Sequence, residues 1–552
     1  MDWQRNLLIS AIVVVIALLY IRWNEFEERN APPEESFVKQ SVLVPEVPEQ
    51  EVAVTDSAIP QVSNRAAPET APEKDAGRLV TLRSDVLAIT IDTYGGDIVR
   101  TALLDYRETT DPGSDPFVIL NRSQEHTYIA QSGLIGPDGI DTNRIRPLFK
   151  VDQASYSLEA GQDELTVTMT YRNGDAEIDK IFTLGRGDYL IDVSYRVVNN
   201  GSDTWQGNLF GQIQRDTYVP PAGDGFGMQP YVGAAITTDE ENYKKVSFSD
   251  LAEKPLSVTK TGGWVSMVQH YFISAWVPNQ EEENHFNLKK LAGRDLYTLG
   301  FTSPSFRVEP GQSGMVSAGF YVGPKDQPRL EAISPYLDLT VDYGWLWWIA
   351  KPIFALMTFI HSLVGNWGWT IILLTVVIKA AFFKLSATSY RSMAKMRKLQ
   401  PEMARLKELY GDDRQKLSQE MMNFYKKEKV NPMGGCLPIL IQMPVFIALY
   451  WVLFESVELR HAPWILWIED LSAKDPYFVL PVLNGISMYL TTLLQPEPPD
   501  PMQAKVMKIM PVAFSFLFAF FPAGLVLYWT VNSVLSILQQ WVITRKIERG
   551  NG

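Results

Sequence analysis

The sequence predicts a polytopic α-helical membrane protein with six transmembrane helices, a large antiparallel β domain on one face and a helical hairpin on the other. Three observations carry this. Apolar runs approaching the length of a bilayer span fall at residues 7–21 and again after 346, with ordinary soluble-protein sequence between them. From Leu79 to Gly323 the pattern alternates apolar and polar and is punctuated by turn residues. The loops between the late apolar runs also differ in charge, with 384–429 strongly basic and Ser456–Pro476 acidic.

Leu7 to Ile21 follows Arg5 and precedes Arg22 and Trp23, and no small-x-small cleavage site comes after it. Residues 1–24 therefore read as an uncleaved anchor rather than a removed signal, with Trp3 and Trp23 marking the interfaces. Residues 25–77, rich in Pro, Glu, Ala and Val, have no apolar periodicity and form a solvated tether. The β domain with a short C-terminal helix occupies 78–335. Val86–Asp92 runs to a Gly95-Gly96 turn and a strand from Ile98 to Leu104, and Leu165–Tyr171 turns at Asn173-Gly174 into Ala176–Leu184. Trp264, Tyr271, Phe272 and Trp276 suit either a ligand groove or the core.

Residues 336–365, with Lys351, Pro352 and His361 interrupting an aromatic-rich run, suit an amphipathic helix lying in the interface. Five spans fill 366–552. They are Trp367 to Lys384; a stretch through Pro438 and Pro444 to Phe454; Tyr477 to Leu494; and Val506–Phe521 paired with Leu525–Ile543 across a tight Phe521–Gly524 turn. The positive-inside rule puts the basic loop in the cytoplasm, hence both termini there and the β domain outside. Within 388–430, Met393, Met396, Met403, Leu406 and Leu409, then Leu417, Met421 and Phe424, recur at helical spacing about a Gly411-Asp412-Asp413 turn. Such a stripe either closes the hairpin on itself or offers an adaptable apolar surface.

Composition excludes several function classes. The formal charge of −13 argues against nucleic-acid recognition. Cys436 is the only cysteine and the five histidines are scattered, so no metal-ligand spacing exists. No phosphate loop, nucleophile elbow or dinucleotide turn occurs, and no cofactor is predicted.

One residue breaks the apolar pattern. Lys379 lies ~18 Å along a helix counted from Trp367, in a hydrocarbon layer ~30 Å thick. A cation at mid-span costs roughly 2.5–3.5 kcal/mol on insertion scales. Thr375 shares its helix face one turn earlier. Either Lys379 faces a wet cavity, or it snorkels along its stem, as Lys384 near the boundary can.

Several strings are long enough to be specific: Asp342-Tyr-Gly-Trp-Leu-Trp, His361-Ser-Leu-Val-Gly-Asn-Trp-Gly, Ser392-Met-Ala-Lys-Met-Arg-Lys-Leu-Gln-Pro401, Asn431-Pro-Met-Gly-Gly-Cys-Leu-Pro and Leu440-Ile-Gln-Met-Pro-Val-Phe. With Ser456–Pro463, Asp470–Tyr477, Gly524-Leu-Val-Leu-Tyr-Trp and the opening Met1–Leu8, they make the chain resemble the YidC/Oxa/Alb family of membrane protein insertases. The resemblance implies a bacterial inner-membrane location, a periplasmic β-supersandwich, and a hydrophilic inner-leaflet groove that inserts proteins without nucleotide hydrolysis or chemical catalysis. It implies groove roles for Lys379, Thr375, Tyr528, Trp529 and Met488, with a hairpin recruitment surface of Met393, Met396, Arg397, Met403, Met421 and Phe424. It implies nascent inner-membrane proteins, the Sec translocon, the ribosome or signal-recognition machinery, and membrane lipids as partners. The chain departs from the family at three places. Lys379 stands where arginine is usual, Trp529 where a second tyrosine is common, and Phe383-Lys384 where relatives carry a proline. The family's β domain is akin to sugar-binding sandwiches, but fold alone implies no sugar site. Two rivals remain at this level: a secondary transporter, which predicts paired broken helices in related halves, and a membrane-anchored carbohydrate enzyme, which needs paired carboxylates.

Overall fold

A computed structural model describes residues 59–60, 78–142, 145–218, 230–411, 413–428, 437–495 and 501–548. The expected N-terminal anchor, nearly all of the tether, the Asn431–Cys436 string and both chain ends lie outside the described residues.

The β region folds as two stacked sheets, of ten and eight strands among the described residues. All strand pairs are antiparallel except Leu79–Arg83 with Ser155–Ser157. The alternation seen in the sequence is the two-sidedness of these strands: Leu165, Val167 and Met169 are buried while Thr166 and Thr168 face out. Gly95 and Gly96 make the expected turn with φ +83 and +64. The second hairpin turns one residue later than expected. Asn173 pairs with Ala176, so Gly174, at φ +59, and Asp175 form the loop. Trp264 and Trp276 are fully buried and Phe272 nearly so, which makes these aromatics core.

A charged cluster bolts the two sheets together. Lys180, on the eight-stranded sheet and fully buried, donates to the carbonyls of Gly95 and Ser132 at 3.1 Å each on the ten-stranded sheet. Arg146 reaches the same two carbonyls and pairs with Asp97 at 2.8 Å and Asp141 at 2.5 Å. Burial pushes the Lys180 ammonium down to about 7, against the opposing pull of Asp97.

Described helices are α1 (Phe248–Glu253), α2 (Gln327–Ile333), α3 (Trp347–Val364), α4 (Trp367–Ala381), α5 (Phe383–Lys398), α6 (Gln400–Tyr410), α7 (Arg414–Lys427), α8 (Leu437–Glu455), α9 (Val479–Leu494), α10 (Pro501–Phe518) and α11 (Ala523–Glu548). α2 is the short helix expected after the β domain, capped by Asp326.

By length and composition, the continuous helix Gly344–Val364 is able to cross a membrane. Length and composition do not by themselves separate a crossing from the interfacial placement of the same stretch. Its exposed positions include Trp347, Trp348, Phe359 and Leu363, so the outward face is apolar rather than polar. The span expected around Lys379 is broken. α4 is only 15 residues long, and the chain bends by 68° into α5. α8 is apolar and, at 19 residues, ~28 Å long, close to the length of a span, whereas α9, at 16 residues, falls short of one. The length and hydropathy of the described helices therefore do not reproduce six separate spans.

The tight turn before α11 is present, but the helix that packs along α11 is α9, not α10. α9 also packs on α10, where a β-carbon at Gly485 would meet Ser515 at 2.7 Å. That close approach needs glycine, and the Ser515 hydroxyl donates to the Pro481 carbonyl there at 2.8 Å.

Candidate functional site: a polar interior around Lys379

The helical part is apolar outside and encloses an apolar core into which a set of polar side chains is built. On α4 the exposed positions are Trp369, Leu373, Val376 and Val377, while Thr370, Thr375 and Lys379 are buried. On α9, Val482, Leu483, Ile486, Leu490 and Leu493 face out, with Asn484 and Ser487 inside. On α11, Val534, Leu538, Trp541 and Val542 face out, and Thr530, Ser533 and Gln540 are buried. An exposed apolar surface of this extent around polar side chains suits a protein whose surroundings are lipid.

Lys379 is only 6% exposed. Its ammonium donates to the Ser536 hydroxyl at 2.8 Å, and Ser536 in turn donates to the Asn532 carbonyl at 2.7 Å. The Asn532 side-chain oxygen accepts from the Gln442 amide of α8 at 3.2 Å. Three helices thus meet in one polar relay. None of the ion pairs among the described residues includes Lys379; its ammonium is met by the Ser536 hydroxyl, which is itself oriented by the Asn532 carbonyl. Snorkelling does not describe this side chain, because it points to α11 within the bundle. Lys384, by contrast, is exposed on α5 beyond the bend.

The remaining groove candidates divide. Thr375 is buried, but its hydroxyl donates to the Ile371 carbonyl of its own helix at 2.6 Å. Tyr528 is 1% exposed, with Phe446 stacked at 5.8 Å. Trp529 is partly buried against Phe446 at 4.0 Å and Phe518 at 5.2 Å. An indole here fills an aromatic cluster. Met488 is partly buried and receives the Asn484 amide at its sulfur at 3.8 Å.

The sequence reading missed Ser536, Asn532, Gln442, Asn484, Ser487 and Gln540. A signal was available: Asn532, Ser536 and Gln540 recur every four residues on one face of a mainly apolar helix. Gln442 carried no such signal, because only the packing of α8 on α11 brings it to Asn532.

The hairpin forms from α6 and α7. Asp413 caps α7 by accepting from the Gln415 and Lys416 amides at 3.1 and 3.0 Å. Met403, Met421 and Phe424 are half-buried between the two helices, and the Tyr425 hydroxyl lies 3.9 Å from the Met403 sulfur. On this part of the stripe the two helices pack on each other, and each of the three side chains stays partly accessible. Met393 and Met396 lie on α5 and are half-buried, whereas Arg397 is exposed.

Two family models together match nearly all of the chain after the tether. One described as YidC periplasmic domain covers residues 79–356, and one described as 60Kd inner membrane protein covers 359–550. The chain is 52% identical over 551 residues to a membrane protein insertase YidC from Cellvibrio japonicus, with 100% of both chains covered. It is 53% identical over 570 residues to a membrane protein insertase YidC from Saccharophagus degradans, again with 100% of both covered. A solved YidC insertase with its first transmembrane domain resolved is similar over 86% of this chain and 94% of its own, at 19% identity. Its TM-score of 0.38 is too low to carry geometry across.

Proposed function

The chain belongs to the YidC family of inner-membrane protein insertases, which are not chemical catalysts, and from that premise we propose that its polar interior is the substrate groove. The observation that carries this is Lys379, a buried cation paired with no carboxylate among the described residues, inside a bundle whose exterior is apolar. Such a charge offers a site for the acidic or polar flank of an incoming chain, while that chain's apolar segment passes into lipid. The polar relay shortens the low-dielectric path that the flank must cross, so the step needs no nucleotide. The membrane potential adds ~2.3 kcal/mol per charge per 100 mV for acidic flanks moving outward.

Thr375, Tyr528, Trp529 and Met488 line this groove in the proposed reading. Met393, Met396, Arg397, Met403, Met421 and Phe424 receive substrates or their delivery machinery on the cytoplasmic hairpin 388–430. The partners are nascent inner-membrane proteins, alone or with the Sec translocon, together with ribosome or signal-recognition factors and lipids.

The proposed topology has six spans: an anchor at 1–24 ahead of the tether 25–77, and five in the core 366–552. Both termini lie in the cytoplasm, and 25–345 is mainly periplasmic. The helix within 336–365 lies along the outer surface, and its two tethered ends support this. At one end Lys351 pairs with Asp338 of the segment leaving the β domain at 2.7 Å. At the other, Asn366 donates to the Pro463 carbonyl of the acidic loop at 3.0 Å. Contacts at both ends to segments assigned to the outer side support a helix lying along that surface over one that crosses.

The test is insertion of a short single-span protein by purified protein in liposomes without nucleotide. Protease-protected fragments above the level of empty liposomes are expected. Insertion that requires a hydrolysable nucleotide would sink the proposal.

A further inference from the structure

α8 links the relay at Lys379 to the β domain. Gln442, near its start, holds Asn532, and Glu455 is its last residue. Glu455 continues the buried stripe formed by Ala448, Leu449 and Val452, where a carboxylate has no apolar reason to be. Its partner is Lys325 of the β domain, at 2.6 Å, and both side chains are almost completely buried. The preceding carbonyl, Phe454, belongs to the last helical turn and has no partner within the helix. It accepts from the Nε2–H of His270, also of the β domain, at 2.9 Å. Burial, reinforced by Lys325, pushes His270 down to about 3, so the ring is neutral and donates without adding charge. Just beyond the helix, Val457 packs into the β-domain core. Arg460 donates to the Arg107 carbonyl at 2.6 Å, with its guanidinium over Phe117 and Phe272.

The β domain therefore supplies both the C-cap and the counter-charge of a bundle helix, with the cation placed where the helix dipole favours it. Resting on the groove reading above, we propose that Lys325 and His270 are positioning residues: by capping and pinning α8 they fix its depth and rotation, and so hold Gln442 against the Asn532–Ser536–Lys379 relay. A buried pair suits this task because it is directional. A slip of one residue along α8 rotates Glu455 by ~100° and shifts it ~1.5 Å, leaving two buried charges unpaired.

The test uses the full-length protein in lipid nanodiscs and liposomes. Amide hydrogen exchange along 437–455 and insertion of an acidic-flanked single-span protein are measured for Lys325→Met, Lys325→Glu, Glu455→Lys, the Lys325→Glu/Glu455→Lys swap and His270→Phe. Each charge variant is expected to speed exchange along α8 and lower insertion on the order of tenfold, within the range typical of coupled sites. The swap is expected to restore both, and His270→Phe to speed exchange in the last turn of α8. Unchanged α8 exchange in Lys325→Met overturns the pin. Faster exchange with normal insertion overturns its functional role, as does a swap that restores exchange but not insertion. Lys379→Met in the same assay separates the two readings. If it inserts normally, the groove reading fails; if it is defective while Lys325→Met is normal, only the pin fails.

Discussion

Replacing Lys379 by methionine trades function for stability, and both sides can be gauged from the structure. Lys379 is 6% exposed and its ammonium makes one hydrogen bond, to Ser536 at 2.8 Å. Losing a charged hydrogen bond costs about 1.5–3 kcal/mol. Ser536 keeps its bond to the Asn532 carbonyl, so little is left unsatisfied. Against that stands the penalty of burying a cation without a carboxylate, effectively several kcal/mol. The net expectation is a bundle more stable by ~1–2 kcal/mol, on the scale of a well-packed apolar replacement. For insertion, an ammonium and a substrate carboxylate ~4 Å apart attract by ~1 kcal/mol in water and ~4 kcal/mol at an effective dielectric of ~20. A partly wet groove lies between these limits, so Lys379→Met should insert an acidic-flanked substrate roughly 10–100-fold more slowly. A neutral-flanked substrate should change by less than about threefold, because no ion pair is lost. Lys379→Arg should keep most activity, and Lys379→Glu should fall below Lys379→Met through like-charge repulsion. The assay is protease protection in liposomes, paired with thermal unfolding followed by tryptophan fluorescence. Equal loss for acidic and neutral flanks, or an arginine variant as poor as methionine, would refute the reasoning.

Three further outcomes follow from other parts of the molecule. Lys180 is held near 7, below its value in an unfolded chain, so between about pH 7 and 10.5 the unfolded state binds the extra proton. Stability of the β domain should therefore rise with pH by up to ~1.4 kcal/mol per unit there. Denaturant titrations of the full-length protein between pH 7.5 and 9.5 should show that slope, and Lys180→Met should flatten it, since Arg146 still satisfies the Gly95 and Ser132 carbonyls. A β-carbon at Gly368 collides with the Trp464 ring, so Gly368→Ala should cost ~1–3 kcal/mol and shift the tryptophan emission; an unchanged spectrum and melting point would contradict the packing. Asp413→Ala removes the cap of α7 and should cost ~1 kcal/mol, read as faster proteolysis within the hairpin while the β domain stays protected.

Much of the architecture was legible because it is written in local patterns. Alternation over Leu165–Tyr171 marked a half-buried strand, the Gly95-Gly96 pair marked a turn, and apolar runs marked the helical part. Lys379 was conspicuous for the same reason, as a single charge interrupting an apolar run. What the pattern cannot hold is which faces meet. Hydropathy read Trp367 to Lys384 as one unit, yet the chain bends by 68° after Ala381. A turn of three or four residues looked sufficient to pair α10 with α11, but α9 took that place, while the absent side chain at Gly485 lets α9 approach α10 on its other side.

The sequence by itself thus determined the periodic elements, the division into a β domain and a helical part, the charge asymmetry and the anomalous lysine, since each depends on neighbours within a few residues. Only the tertiary structure decided that Lys379 is answered by Ser536, 157 residues away, and that Glu455 is answered by Lys325, 130 residues away. Those pairings exist because buried polar groups must find partners wherever packing brings the chain together, and spacing along the sequence does not encode that choice.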